Sequence, residues 1–355
     1  YEILSGLGGL GDVYKRQVII MTLIDDANCN GAFGNRLKNM DKVDQYLHAA
    51  TRENTRKSYQ AAIQHFEVEW GGFLPATANS VARYLADHAE SLSANTLRQR
   101  LAGLARWHID QGFPDPTKAP IVRNVFRGIL ASHPNQEKQA KPLLLGQLEQ
   151  VAISLEKAIS DAESTSNRAQ VLRLKRDKAL LLLGFWRGFR SDEINRLLVE
   201  NIEAIAGEGM ICYMPRTKGD RHYKGMSFRV PALAKLCPVE AYLEWTSEAQ
   251  LSAGPVFRAV DRWGHVNGCG MHVDSIAPLI RTILSSAGIE SSELYSSHSL
   301  RRGFATWAMA NGWDIKTLME YVGWKNMQSA IRYIDAVNPF LKNSLKEASD
   351  FTILP

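Results

Sequence analysis

Cysteine is scarce in this chain of 355 residues. The chain has four cysteines, no two of them in a CxxC pair, at Cys29, Cys212, Cys237 and Cys269. This excludes a zinc knuckle built on paired cysteines and argues against a disulfide framework. We therefore expect a protein of a reducing compartment, the cytoplasm.

Long apolar runs are missing as well. The run Val18–Ile24 is far shorter than the roughly 18 residues that a membrane span needs, and no signal-peptidase pattern follows it. The sequence also lacks the cluster of carboxylates typical of a two-metal nuclease. We expect no membrane partner, no metal and no other cofactor.

The first twenty residues look foreign to a fold. The chain begins with Tyr1, and the segment YEILSGLGGLGDVYKRQ is rich in glycine without an amphipathic period. It resembles translated adapter sequence, and Met21 is a candidate for the true start. We expect residues 1–20 to be a non-native or disordered extension.

The positive charge is concentrated in the first half of the chain. The net charge is +5, and residues 36–141 alone hold 15 Lys and Arg against 10 Asp and Glu. A charge of this size is unremarkable for the length. Its distribution, however, suits a module that faces nucleic acid.

Residues 21–132 are predicted to form a domain of short helices. Tyr59, Ile63, Phe66 and Trp70 recur at helical spacing, and two glycines follow. Asn79-Ser80 and Ser93-Ala94-Asn95 are each expected to cap a further helix, and a fourth helix is expected over Ile121–Leu130. Seven basic residues of these helices are predicted to contact DNA phosphates, with an ordinary solvated helix face as the alternative: Arg56, Lys57, Arg98, Arg100, Arg106, Arg123 and Arg127.

Residues 133–142, HPNQEKQAKP, are polar and bounded by prolines, and we predict an interdomain linker there. Residues 143–355 then form the second domain. Helices are predicted over Leu143–Leu155 and Ala169–Gly184. Met210–Met214 and Met226–Val230 alternate as strands do, with a basic loop between them. The fold class is therefore mainly α with a small β-sheet.

Six residues of the second domain form a set suited to one kind of chemistry. They are Arg190, Lys218, His298, Arg301, Trp324 and Tyr333. A phenol can attack a phosphodiester while cations and hydrogen-bond donors stabilise the extra negative charge of the transition state. The set is concentrated between Ser297 and Asp335, with His298 and Arg301 three residues apart.

The order and spacing of these residues resemble the tyrosine recombinase (phage integrase) family. The matching motifs are GFRSDE around Arg190, RTKG around Lys218, HSLRR around His298 and Arg301, VGWKN around Trp324, and IRYID around Tyr333. The resemblance is to the Cre-like variant, which has Trp where many members have a second His. It implies a helical core-binding domain followed by a mixed α/β catalytic domain.

The resemblance also implies a role for each residue. Tyr333 would be the nucleophile, and Arg190 and Arg301 would hold the phosphate between them. Lys218 would protonate the departing 5′-oxygen, and His298 would donate a hydrogen bond or assist proton transfer. Trp324 would offer its indole N–H.

Supporting roles are expected nearby. Glu193 would support the site without reacting, and Arg221 and Lys224, in the loop of Lys218, would contact the DNA backbone.

Simpler interpretations of these residues stay open. Each arginine could form a salt bridge with Asp192 or Glu193, Glu193 could be a helix N-terminal acid, and Trp324 could be a core residue. Arg187 and Arg302 lie close to the two arginines, but the family pattern disfavours them. Tyr321 and Tyr295 are rival phenols.

The predicted function is site-specific recombination of DNA through a 3′-phosphotyrosine intermediate, without metal or ATP. The partners would be double-stranded DNA with paired sites and three further copies of the chain, giving a homotetramer on DNA and a monomer or weak oligomer without it. The segment Asn338–Leu345 could dock on a neighbouring copy, with a tail folded onto its own domain as the alternative. The protein would act in the cytoplasm of a bacterium, associated with the nucleoid, and would be encoded by the bacterium or a phage. Its expected context is a mobile element.

Three other functions remain possible from the sequence. A type IB topoisomerase-like enzyme or a telomere-resolving enzyme would use the same active site. A DNA-binding regulator without catalysis is the third, because Gly303–Trp324 could form a helix-turn-helix.

Overall fold

The computed structural model describes residues 42–43, 46, 50–134, 139–215 and 224–334, without the side chains of residues 329 and 332–334. The chain divides into two compact units between Lys138 and Gln139. This position lies inside residues 133–142, where we predicted a linker. The proposed extension 1–20 and the tail Asn338–Leu345 lie outside the described residues.

Among the described residues from Glu53 onwards, the first unit is a small bundle of four α-helices. Their bounds are α1 Glu53–Gln64, α2 Ala78–Asp87, α3 Ala94–Asp110 and α4 Pro120–Ser132, with a π-helical turn at His65–Glu69 and a 3₁₀ turn at Pro116–Lys118. Ser93 caps α3 as expected, accepting a hydrogen bond from Thr96 N. The cap of α2 is Thr77, whose hydroxyl accepts from Ser80 N, so the expected cap at Asn79-Ser80 was wrong by two residues.

The core of this unit is aromatic and aliphatic. Phe66, Tyr84, Leu85, Leu97 and Leu104 are fully buried there. The basic residues predicted to contact DNA are exposed or half-buried around it. The helical pattern thus separates an apolar interior from a basic exterior.

The second unit is built around the buried helix α6. Its α-helices are α5 Leu145–Ser164, α6 Arg168–Arg187, α7 Ser191–Asn195, α8 Pro238–Glu248, α9 Ile276–Ser286, α10 Ser297–Ala310, α11 Ile315–Val322 and α12 Met327–Ile334. Short 3₁₀ turns lie at Val199–Asn201, Val273–Ser275 and Ser292–Leu294. Residues 179–187 of α6 are all buried, because α5, α8 and α10 pack around this helix.

Two small antiparallel sheets complete the described part of the unit. β1 Ile202–Ile205, β2 Gly209–Met214 and β3 Met226–Pro231 form one sheet, and β4 Arg258–Val260 and β5 Val266–Gly270 form the other. In the first sheet, Cys212 pairs with Ile202 on one side and with Phe228 on the other. The fold class, mainly α with a small β component, is confirmed.

A segment at the start of the second unit lies along the N-terminal half of α10. Leu143 N donates to Ser299 O at 3.0 Å, and Arg302 Nη2 donates to Gln139 Oε1 at 2.6 Å. Gly303 faces the Leu143 carbonyl so closely that a side chain there would overlap it. We call residues 139–143 the strap. The strap fixes the position of α10, the helix of His298 and Arg301.

Within the described ranges, none of the helices combines the length and the apolarity that crossing a bilayer demands.

Candidate active site

Arg190 stands at the junction between α6 and α7. Gly188 ends α6 in the left-handed conformation, with φ of +61°, and Arg190 is the extended N-cap residue of α7. Glu193 Oε2 accepts from Arg190 N at 2.8 Å, and Oε1 accepts from Arg190 Nη1 at 2.6 Å. The Arg190 side chain keeps 25% of its surface exposed. Its guanidinium is therefore oriented by Glu193 and still accessible to a ligand.

Glu193 joins the two arginines of the family pattern. Its side chain is only 6% exposed, and Arg301 Nη1 lies 3.6 Å from Oε2. A buried carboxylate needs such partners, because an unpaired buried charge is strongly destabilising. The salt bridge considered from the sequence is thus present, and one carboxylate serves both guanidinium groups.

Arg301 lies behind Arg190 and is almost completely buried, with 1% of its surface exposed. Its Nη1 donates to Gly188 O, and its Nη2 donates to Val322 O at 3.2 Å. Its Cζ lies 5.0 Å from the centre of the Trp324 ring. One side chain therefore connects the end of α6, the end of α11 and the indole.

His298 is presented at the N-terminus of α10. Ser296 caps this helix and accepts from His298 N at 3.2 Å, and the His298 side chain is exposed. Ser191 Oγ donates to Ser297 Oγ, which brings the first turns of α7 and α10 together. His298 and Arg301 lie on one face of α10, one turn apart.

Trp324 follows the end of α11. Gly323 ends the helix in the left-handed conformation, with φ of +73°, and Trp324 N donates to Met319 O at 2.8 Å. The indole is 5% exposed and packs into the hydrophobic core. Trp324 is thus a core residue and a neighbour of Arg301 at the same time.

Three predicted site residues lie partly or wholly outside the described part of the chain. Tyr333 lies in the last turn of α12, and its side chain is outside the described part of the chain. Lys218 and Arg221 are outside the described residues altogether, whereas Lys224 is exposed just before β3. The start of α12 lies three residues after Trp324, and its Ala330 is fully buried.

The two rival phenols are packing residues. Tyr321 stacks on Phe304 with ring centres 5.2 Å apart, and its hydroxyl donates to Trp186 O at 2.9 Å. Burial raises the pKa of Tyr321. Tyr295 is fully buried, and its hydroxyl accepts from Gln147 Nε2 at 3.1 Å. Both hydroxyls are therefore occupied within the fold.

A third arginine, which the sequence argument set aside, lies next to the site. Arg187 is 5% exposed, and its Cζ lies 4.1 Å from the centre of the Tyr321 ring. Its signal in the sequence is weak, because the rings that surround it come from distant positions. Together Arg187, Arg190 and Arg301 outnumber the single carboxylate of Glu193, so this part of the molecule suits an anion. Among the described residues, no group of three metal-ligating side chains converges.

The segment Gly303–Trp324, the helix-turn-helix alternative, packs one face of each helix into the core. Most residues of α10 from Ser297 to Ala305 are buried, and α11 buries Leu318 and Val322. Lys316, Thr317 and Glu320 of α11 are exposed, as one face of a recognition helix must be. The packing around the arginines is therefore compatible with this alternative, and the comparisons below decide against it.

Comparisons with known proteins point to one family. The phage integrase family pattern matches residues 156–338. The integrase/recombinase xerD homolog of Selenomonas ruminantium is 29% identical, over 86% of this chain and 88% of its own. The recombinase cre of Escherichia phage P1 is 26% identical, over 74% of this chain and 77% of its own.

Solved structures show the same fold at lower identity. The Tn1549 transposon integrase in complex with transposon right-end DNA has a TM-score of 0.55 at 14% identity, covering 87% of this chain and 98% of that one. The XerH site-specific recombinase bound to palindromic difH has a TM-score of 0.54 at 19% identity, covering 83% and 79%. The chain belongs to the phage integrase family and is a tyrosine recombinase.

Proposed function

We propose that the chain cleaves and rejoins DNA at specific sites, with Tyr333 as the nucleophile. The observation that carries the proposal is the pairing of Arg190 and Arg301 with one buried carboxylate, Glu193. Two guanidinium groups from distant parts of the sequence meet there, near His298, the exposed residue of the first turn of α10. Family membership favours this activity over a topoisomerase, a telomere-resolving enzyme or a regulator.

The reaction exchanges one phosphoester bond for another. The Tyr333 oxygen attacks the phosphorus and passes its proton to His298 or to solvent, and the bond to the 5′-oxygen of the next nucleotide breaks. The products are a 3′-phosphotyrosine and a 5′-hydroxyl, whose proton comes from Lys218 in this proposal. Because the number of phosphoester bonds is unchanged, a second 5′-hydroxyl can reverse the exchange without ATP.

The two arginines differ in what they can reach. Arg190 is partly exposed and already oriented, so its planar fork can donate to two phosphate oxygens. Arg301 is buried next to Arg190 and adds positive charge to the site where the phosphate would bind. Glu193 fixes both guanidinium groups, and His298 and Trp324 supply further hydrogen-bond donors. Such fixed charges favour the transition state, because they need no reorganisation during the reaction.

The partners follow from the same proposal. The chain would bind double-stranded DNA with paired recombination sites, as a homotetramer on DNA and a monomer or weak oligomer without it. A structure of similar fold, that of a lambda integrase, is a dimer bound to a core site. In our proposal the segment Asn338–Leu345, outside the described residues, connects neighbouring copies.

The first unit would hold the DNA through its basic side chains. Two of them are already paired on the surface, Lys57 with Glu53 at 3.4 Å and Arg106 with Asp110 at 2.8 Å. These pairs favour the solvated-face interpretation for Lys57 and Arg106. Exposed pairs contribute only about 0–1 kcal/mol, so a phosphate can still replace the acid.

The experiment is a search for covalent adducts at the natural target. The full chain is incubated with DNA fragments from its own genetic locus, and trapped adducts are isolated and their ends sequenced. We expect adducts at one recurrent sequence, with none from Tyr333→Phe. Adducts scattered without preference, together with relaxation of a plasmid that lacks the site, would instead support a topoisomerase.

A further inference from the structure

Arg187 lies in a box of aromatic rings at the end of α6. Its Cζ is 4.1 Å from the centre of the Tyr321 ring, 4.7 Å from that of Phe228 and 6.0 Å from that of Phe189. The rings come from α11, from β3 and from the turn after α6. A guanidinium within about 6 Å of ring faces is attracted by their negative π-clouds, and more strongly where water is excluded.

The position is an unusual one for a charged group. Arg187 is 5% exposed, and among the described residues its Nε and Nη1 atoms have no hydrogen-bond partner. Burial lowers the pKa of its guanidinium, and nearby Tyr321, Cys212 and Glu193 oppose that shift only in part. A buried cation without a carboxylate of its own destabilises the fold. Burying an apolar side chain of the same length would cost less free energy. The charged, planar guanidinium therefore has a use other than stabilising the fold.

The surroundings of Arg187 show what that use is. Tyr321 and Trp324 lie on either side of Gly323, the residue at which α11 ends. Arg187 lies against the ring of Tyr321, and Arg301 lies 5.0 Å from the ring of Trp324. The short turn 321–324 is thus held at both ends by a guanidinium against an aromatic ring.

The Tyr321 hydroxyl adds a third link. It donates to Trp186 O at 2.9 Å, on the residue before Arg187. The end of α6 therefore contacts both the ring and the hydroxyl of Tyr321. The turn 321–324 cannot shift relative to Arg190 and Gly188 without breaking these contacts.

We propose that Arg187 is a positioning residue for the strand-cleavage reaction. It holds Tyr321, and through the turn 321–324 it sets the place of the Trp324 indole. Arg187 touches no DNA and takes no part in proton transfer. The inference rests on the proposed function of the site, because it assigns the turn to that reaction.

The test compares full-length variants on a nicked duplex that traps the cleaved state, made from the target site. We expect Arg187→Met to lower the rate constant of adduct formation about tenfold, because the turn 321–324 loses the desolvated cation–π contact at Tyr321, while the dissociation constant for DNA changes less than about twofold. Arg173→Met is the matched control. Arg173 lies on the same helix and donates to Asp261 O at 2.8 Å, away from the site, so adduct formation should stay within about twofold.

A second background separates positioning from general stability. If Arg187 acts through Trp324, Arg187→Met should cost less than about threefold when Trp324 is already replaced by Ala. The same tenfold loss in both backgrounds would overturn the proposal, as would wild-type cleavage by Arg187→Met. If wild-type protein forms no adduct at any DNA, the proposed function itself fails, which is a different result.

Variants of Tyr321 give the answer if Arg187→Met does not fold. Tyr321→Phe keeps the ring against the guanidinium and loses only the hydrogen bonds of the hydroxyl, so adduct formation should fall by no more than about threefold. Tyr321→Leu removes the ring and should lose about tenfold, again without weaker DNA binding. Equal rates for the Phe and Leu variants would overturn the proposal.

Discussion

Replacing Gly303 by alanine tests how closely the strap must approach α10. Gly303 lies on the buried side of α10, and a methyl group there would overlap the Leu143 carbonyl oxygen. It would also lie 2.8 Å from the Leu143 carbonyl carbon and 2.9 Å from Phe185 Cε2. Backbone atoms and a buried ring cannot rotate away, so the strap itself must move.

The cost can be estimated from the contacts that would be lost. Overpacking of a core by one methyl group costs about 1–3 kcal/mol. Displacement of the strap also breaks the hydrogen bond from Leu143 N to Ser299 O, worth about 1 kcal/mol. Alanine in place of glycine returns about 1 kcal/mol of helix propensity. The net loss is about 2 kcal/mol, or roughly 4–8 °C in the melting temperature of a unit of this size.

The assay is thermal unfolding of the full chain, followed by calorimetry and by tryptophan fluorescence. Gly146→Ala is the matched control, because a side chain at this position of α5 meets nothing within 4 Å. We expect its melting temperature to be unchanged or slightly higher. A Gly303→Ala protein that melts with the control or above it would refute the argument that the strap is tightly packed.

Three further predictions concern single side chains. Glu193→Gln removes the charge that fixes both site arginines, so it should destabilise the second unit by on the order of 3 kcal/mol. The rate of adduct formation should fall at least tenfold while DNA binding stays as tight as before. An unchanged adduct rate would contradict the role of Glu193. Burial first, and Arg100 next, lower the pKa of His65, so the unfolded chain binds the extra proton more readily. The resulting stability is complete above about pH 6.5 and is lost as pH falls towards the folded-state pKa. Urea midpoints should therefore rise from pH 5 to about 6.5 and then level off, with a smaller rise in His65→Gln. Burial raises the pKa of Cys212 to about 12. In the folded protein, mass spectrometry should therefore find Cys212 unlabelled by iodoacetamide, whereas the half-buried Cys269 reacts. Equal labelling rates would contradict the packing of β2.

The elements with a clear period could be predicted from the sequence. The strands expected at Met210–Met214 and Met226–Val230 begin and end within one residue of β2 and β3. β1, β4 and β5 were missed, because strands of three to five residues are too short to display a period. Helix α5 runs on to Ser164, beyond the expected end at Leu155, since nothing in between breaks it.

The candidate site, too, could be predicted from the sequence only in part. The motifs indicated which arginines belong together, and the structure places Arg190 and Arg301 on one carboxylate. The burial of Arg301 and the box around Arg187 could not be predicted. Both depend on rings and carbonyls from α11 and β3, whose distance in the sequence carries no information about contact. The roles of Lys218 and Tyr333 stay predictions.

The most direct measurement is the chemical identity of the protein–DNA link. The chain is trapped on a nicked target duplex and digested, and the peptide that carries nucleotide is sequenced by mass spectrometry. Our account predicts one modified peptide, with the 3′-phosphate of DNA on the Tyr333 oxygen, and a free 5′-hydroxyl on the other fragment. A link through another residue, or through a 5′-phosphate, would contradict it.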